Sequence, residues 1–235
     1  MSKTGEGWGD SHEQTFRTKG ELAYDLVKAR VLDGSLVPGS VVNQAALAQQ
    51  IGMSTTPLRE GLRRLSAEGL IRLDAHRDAT IAPLSAEEAR HIIEMRTELD
   101  PLGVALAAER YTPADATTIK SALEDLRASV DDTEEGMRVH RLFHVAIYEA
   151  SHNPILIDVL NSLRTRSGRY RIFGSSADVA PPSLAEQQTE HDALAKLVLE
   201  RDAAAASTLM RSHVKESLAG LALRFLEDQE SPATR

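Results

Sequence analysis

Residues 41–73, VVNQAALAQQIGMSTTPLREGLRRLSAEGLIRL, restrict the possible folds more than any other stretch of the chain. Apolar residues recur there at helical spacing in two short runs, with Gly52 between them. Two helices joined so tightly need a small residue where they cross and a residue that tolerates positive φ at the turn. Ala48 and Gly52 meet those needs. Asn43 suits the N-cap of the first helix, which the pattern carries to Ile51. Ser54 suits the cap of the second, with Pro57 in its first turn and Gly69 at its end. Leu47, Ile51, Leu58, Leu62 and Leu65 supply the apolar faces, which turns Thr55, Thr56, Arg59 and Arg63 outward. Hydroxyls, guanidinium groups and a helix N-terminus suit phosphates and base edges. Residues 70–83 then alternate apolar and polar about DAHRD, which predicts a short hairpin with His76 and Arg77 at its tip. The stretch predicts a winged helix-turn-helix that binds double-stranded DNA.

The segments on either side complete the organisation. Residues 18–33 place Leu22, Ala23, Leu26, Ala29 and Val31 on roughly one helical face, and GSLVPGS ends that helix in a turn. Residues 1–15 are polar and are expected to form a disordered tail, so the DNA-binding unit is set at 16–83. After Ser85 the texture changes to long helical patterns at 85–110, 113–130, 133–151, 154–173, 184–200 and 202–227. Breakers such as Thr112-Pro113, Asn153-Pro154 and Arg201-Asp202 separate them. The expectation is a mostly α chain. A winged helix-turn-helix with a small β-hairpin precedes an all-α antiparallel helical bundle over 84–229.

Charge follows this division. Residues 1–80 hold ten Lys/Arg and ten Asp/Glu, so the net charge of −8 belongs to the remainder, with seventeen basic and twenty-five acidic residues. Such a split points to two parts with different partners. The chain has no cysteine, which excludes disulfides and thiolate metal sites. No apolar run approaches the roughly eighteen residues of a membrane span, and MSKTGEGWGDSHEQTF lacks the core of a signal peptide. The expected location is cytoplasmic, with no membrane partner.

The eight histidines are not scattered evenly. His140 and His144 in HRLFH lie one helical turn apart, so both rings project from one face. His191 and His213 lie ten residues before Arg201 and eleven after Asp202. At 1.5 Å per residue both sit about 15 Å from that turn, level with each other in an antiparallel helix pair. Four imidazoles on three helices suit a divalent transition metal such as Zn²⁺ or Ni²⁺. Spacing alone leaves a solvated histidine face equally open. His12, His76, His91 and His152 fall outside the pattern and are read as surface or structural.

The stretch LVPGSVVNQAALAQQIGMSTTPLREGLRRLSAEGLIRL, residues 36–73, resembles the GntR family of bacterial transcription regulators. The resemblance implies a homodimer on a pseudo-palindromic operator. Three positions depart from the family pattern: Thr55 stands where Arg is usual, Gly61 where Ala is usual, and Asp78 where many members have Gly. Residues 85–227 resemble the FCD effector domain of the FadR subfamily through EMRTELDPLGVALAA, HRLFHVAIYEASHNP and EHDALAKLVLERDAAAASTLMRSHV. Many members bind a metal through an Asp and three His. The three His carry over to His144, His191 and His213, while His140 takes the Asp position, which keeps a ligand but removes a negative charge.

A metal with open positions can serve hydrolysis or sensing. A metal-dependent hydrolase is the alternative function. It needs a general base beside the ligands, yet Arg141 follows His140 where a metalloprotease would carry Glu. A sensor needs only an open position and a counter-charge for an anionic ligand. Arg96 can supply that charge, unless it forms a structural ion pair with Asp100 or Glu94. The resemblance implies a small carboxylate effector held by that helix arginine. Arg164, Arg166, Arg169 and Arg171 crowd one further helix, where one can line the pocket and most are expected to face solvent.

Overall fold

The computed structural model describes residues 17–73, 78–129, 134–176 and 183–217, together with residues 220, 222, 223 and 226. The expected tail 1–15 and the wing-tip residues His76 and Arg77 lie outside the described residues.

The N-terminal part runs α1 (Lys19–Leu32), β1 (Val41–Asn43), α2 (Gln44–Gln50), α3 (Thr55–Ala67), β2 (Ile71–Leu73) and β3 (Asp78–Ile81). Thr18 and Glu21 close a capping box on α1. Asn43 caps α2 by accepting from the Ala45 and Ala46 amides at 3.0 and 3.1 Å. Gly52 takes φ +68° between α2 and α3, the left-handed conformation that the tight turn requires. Ser54 stands at the N-cap of α3 in extended backbone, but its side chain makes no cap hydrogen bond. The three strands form an antiparallel sheet in the order β1-β3-β2. The sequence predicts only the hairpin; β1 is too short to show alternation, and it pairs Val41 with Thr80. Tyr24, Val27, Leu47, Leu58, Leu62, Leu65, Leu70 and Ile81 close the core between these elements.

Gly61 is one of the departures from the family pattern, and the packing explains it. A Cβ there would lie 2.7 Å from the Tyr24 backbone nitrogen and 3.1 Å from the Ala23 carbonyl carbon. The recognition helix α3 therefore crosses directly on the backbone of α1.

The C-terminal part contains α4 (Ala86–Arg110), α5 (Pro113–Ala128), α6 (Glu134–Glu149), α7 (Pro154–Ser176), α8 (Leu184–Leu199) and α9 (Ala203–Glu216). These are the six expected helices, the last of them broken at Ser217, with residues 220, 222, 223 and 226 again helical. Ser217 turns to extended backbone and its hydroxyl accepts from the Gly220 amide, a local side-chain bond at the break in the helix expected to reach 227. Val104, Ile119, Phe143, Ile147, Leu160, Leu194, Val198 and Met210 are buried among the six helices. Arg201 adopts φ +62° in the α8–α9 turn and donates to the carbonyls of Ala108, Glu109 and Tyr111. That contact ties the turn to the end of α4 and fixes the α8–α9 hairpin in height.

The two parts meet along α7. Arg166 Nε donates to the Glu68 carbonyl at 3.0 Å. Arg169 donates to the Ala82 carbonyl at 2.9 Å and pairs with Glu88 at 2.9 Å. The Tyr170 hydroxyl donates to Glu88 at 2.8 Å. Arg164, Arg166 and Arg169 are thus all engaged inward, contrary to the expectation of a solvent-facing cluster; the Arg171 side chain lies outside the description. No described helix is long and apolar enough to cross a membrane.

Candidate metal centre and nucleic-acid surface

His140 and His144 project from α6, His191 from α8 and His213 from α9. Their ring centroids are 4.9 to 5.3 Å apart for the pairs 140–144, 140–191, 144–191, 144–213 and 191–213. One nitrogen from each ring falls within 4.8 Å of the others. Bonds of about 2.0–2.1 Å in tetrahedral geometry place ligand atoms roughly 3.3 Å apart, so the four nitrogens stand somewhat wider than such a set. His144, His191 and His213 are buried, and His140 is partly exposed.

The donor chemistry fits a cation. Neither ring nitrogen of His144 has a hydrogen-bond partner, although the residue is completely buried. A buried polar group is normally satisfied, so two unbonded ring nitrogens among three other imidazoles are what a cation site leaves available. Burial, followed by the charge of nearby Arg164, pushes the His144 pKa well below its usual value. The ring is therefore held neutral, the form that ligates metals. His213 Nδ1 lies 2.9 Å from Glu190 Oε2, which directs its other nitrogen toward the cluster. That hydrogen bond in turn holds the Glu190 carboxyl below its usual pKa. Glu190 was absent from the sequence expectation. It stands one position before His191, so its side chain is directed by the hairpin geometry rather than by a motif.

A cavity of about 880 Å³ adjoins the cluster, with His140, His213, Arg96 and Arg164 in its wall. Arg96 is 4% exposed and pairs with Asp100 through Nε at 3.1 Å and Nη2 at 2.7 Å. Its Nη1 donates to Ser167 at 3.1 Å. Arg96 is thus ion-paired with Asp100, the structural role considered for it, and it also lines the cavity. Arg164 is the cavity residue that sequence reasoning undervalued. Its Nε is buried with no hydrogen-bond partner, and its guanidinium carbon lies 5.9 Å from the Tyr148 ring centroid. Among the described residues the two remaining histidines lie apart from this site: His91 is exposed and His152 pairs with Asp115 at 2.9 Å.

On the opposite part of the chain, Thr55, Thr56, Arg59 and Arg63 are exposed along α3. Leu58, Leu62 and Leu65 are buried on the other side of the same helix. Arg59 Nε donates to Gln44 Oε1 at 3.0 Å, so α2 steadies this guanidinium while leaving its terminal nitrogens outward.

Comparison with known proteins agrees with both halves. The profile described as "Bacterial regulatory proteins, gntR family" matches residues 19–79, and the FCD domain profile matches residues 91–216. The HTH-type transcriptional regulator McbR of Escherichia coli (strain K12) is 35% identical over 144 residues, an alignment covering 60% of this chain and 65% of McbR. The solved structure of E. coli McbR/YncC superposes with a TM-score of 0.75 at 27% identity, covering 91% of this chain and 99% of that one. The HTH-type transcriptional repressor GlaR of E. coli (strain K12) is 28% identical over 198 residues, covering 81% of this chain and 90% of GlaR. These relatives are named as regulators, not as catalysts. With both profiles in register and the FCD match spanning more than half its length, the chain belongs to the GntR family of bacterial regulatory proteins, as a transcriptional regulator with an FCD domain.

Proposed function

We propose that the protein is a metabolite-responsive regulator acting in the cytoplasm. Residues 16–83 bind operator DNA, and residues 84–229 sense a small carboxylate at a metal centre. A homodimer places two copies of α3 on the half-sites of a pseudo-palindromic operator, about one helical turn of DNA apart. Thr55, Thr56, Arg59 and Arg63 contact the DNA from α3, and His76 and Arg77 contact it from the wing. His140, His144, His191 and His213 hold a divalent transition metal, Zn²⁺ or Ni²⁺. The effector carboxylate binds beside that metal, with Arg96 and Arg164 as its counter-charges.

One observation carries this reading. The completely buried His144 has two unbonded ring nitrogens inside a four-histidine cluster, and that cluster opens on a cavity lined by arginine. Four neutral imidazoles contribute no negative charge and Glu190 offsets only part of the cation's, which favours an anion in an open position. The test is operator selection from genomic fragments with the full chain at moderate salt. The selected fragment is then titrated with and without metal and a panel of carboxylates. Retention of all fragments alike would overturn the operator assignment. Operator affinity indifferent to every metal and carboxylate combination would overturn the sensing assignment.

A further inference from the structure

The cavity beside the histidines is not enclosed by the helical bundle alone. Lys28, Ala29 and Leu32 of α1 form part of its wall, so the DNA-binding half supplies one of its surfaces. Leu32 reaches α7 as well: a Cβ built on Gly168 would sit 3.4 Å from Leu32 Cδ2.

The size is informative. At about 880 Å³ the cavity belongs with sites that enclose drug-sized ligands. A carboxylate of two to four carbons displaces only three or four waters, on the order of 100 Å³. The cavity surface is more apolar than polar, with Ala29 and Leu32 of α1 and Met137 of α6 contributing side-chain carbon.

Near α1 the cations are already paired, so that end of the cavity offers no free counter-charge to a second anionic group. Lys28 already pairs with Glu68 at 3.0 Å, and Arg17 with Asp25 at 3.2 Å. Arg164, next to the cluster, lies over the Tyr148 ring. Arg164 has a buried Nε with no hydrogen-bond partner.

We infer that the cavity takes a monocarboxylate with an extended apolar body: the carboxylate lies at the histidine cluster and Arg164, and the body lies against Ala29 and Leu32 of α1. This rests on the carboxylate reading above and adds two things to it. The ligand class is narrowed to carboxylates with an apolar body. The ligand also touches the helix whose backbone carries the recognition helix at Gly61, so binding is felt by α3 through one helix.

The experiment is calorimetric titration of the full, Zn²⁺-loaded chain with acetate, butanoate, hexanoate and octanoate. Each methylene buried in the cavity should tighten binding by about fourfold. Ala29→Glu and, separately, Leu32→Ala should flatten the dependence of log Kd on chain length, with circular dichroism confirming that each variant is folded. Acetate binding with no gain along the series would overturn the extended-ligand inference and leave the carboxylate reading standing. A gain along the series that persists unchanged in both folded variants would overturn the contact with α1. No binding by any member of the series would overturn the carboxylate reading and this inference with it.

Discussion

Arg166 Nε on α7 donates a 3.0 Å hydrogen bond to the backbone carbonyl of Glu68, the residue that terminates the recognition helix. The Glu68 carboxylate is meanwhile held by Lys28 and by the Tyr24 hydroxyl, both on α1. One residue thus joins the recognition helix, the helix it packs on and the helix that lines the cavity. Arg166→Ala should leave the bundle folded but loosen this junction. Hydrogen exchange at the last turn of α3 should quicken, and protease should cut more readily between residues 82 and 85. Unchanged exchange and cleavage would show that the junction is held by other contacts.

Arg169 should matter more for stability. Its side chain is 1% exposed and it makes charge-assisted bonds to Ala82 and Glu88. Such bonds contribute about 1.5–3 kcal/mol each. Arg169→Ala should therefore lower the denaturation midpoint well beyond Arg166→Ala in a urea titration. Equal midpoints for the two variants would refute this ranking.

Arg96 is a poor probe of ligand binding despite lining the cavity. Its removal strands the Asp100 carboxylate, which is completely buried, and breaking a buried pair costs about 3–5 kcal/mol. Arg96→Ala is expected to unfold at markedly lower temperature. Arg164→Gln should stay close to wild type in stability while weakening carboxylate binding. A stable Arg96→Ala protein would contradict the buried-pair argument.

Operator affinity should fall by roughly 1–3 kcal/mol in Arg59→Ala, measured by fluorescence anisotropy on the selected fragment. An unchanged affinity would remove Arg59 from the DNA interface.

Metal content tests the histidines directly. Elemental analysis of the purified chain should find close to one divalent metal per chain, and a His144→Ala/His191→Ala double variant should have lost it. Equal, negligible metal in both would dismiss the site.

Gly61 gives a check on the fold itself. Its added Cβ would press on the Tyr24 backbone at 2.7 Å, where nothing flexible can yield. Gly61→Ala should destabilise by about 1–3 kcal/mol in chemical denaturation, even though alanine is the better helix former. A neutral result would mean that α1 and α3 can separate freely.

Much of this was legible in the sequence because strong local signals coincide with element ends. Asn43, Gly52 and Gly69 mark the helix-turn-helix through their own backbone requirements, and Pro113 and Pro154 open helices where proline is tolerated. The level of His191 and His213 follows from counting along two helices away from one turn. What stayed hidden depends on tertiary direction. The inward turn of Arg164, Arg166 and Arg169 is set by which elements α7 crosses, and a run of arginines looks the same on a solvated face. Glu190 supports His213 only because two helices bring residues 23 positions apart into contact. The break after Glu216 coincides with two hydrogen bonds of the Ser217 hydroxyl, too weak a signal to read within a helical pattern.

The placement of α1 in the cavity wall sets a limit on treating the two halves as interchangeable parts. A biosensor built by grafting a foreign DNA-binding domain ahead of residue 84 would replace Lys28, Ala29 and Leu32 and so rebuild part of the ligand's enclosure. Its selectivity would follow the graft as well as the retained domain. A screen on the isolated C-terminal half would lack the α1 wall of this partly open cavity, and would miss whatever selectivity that wall supplies.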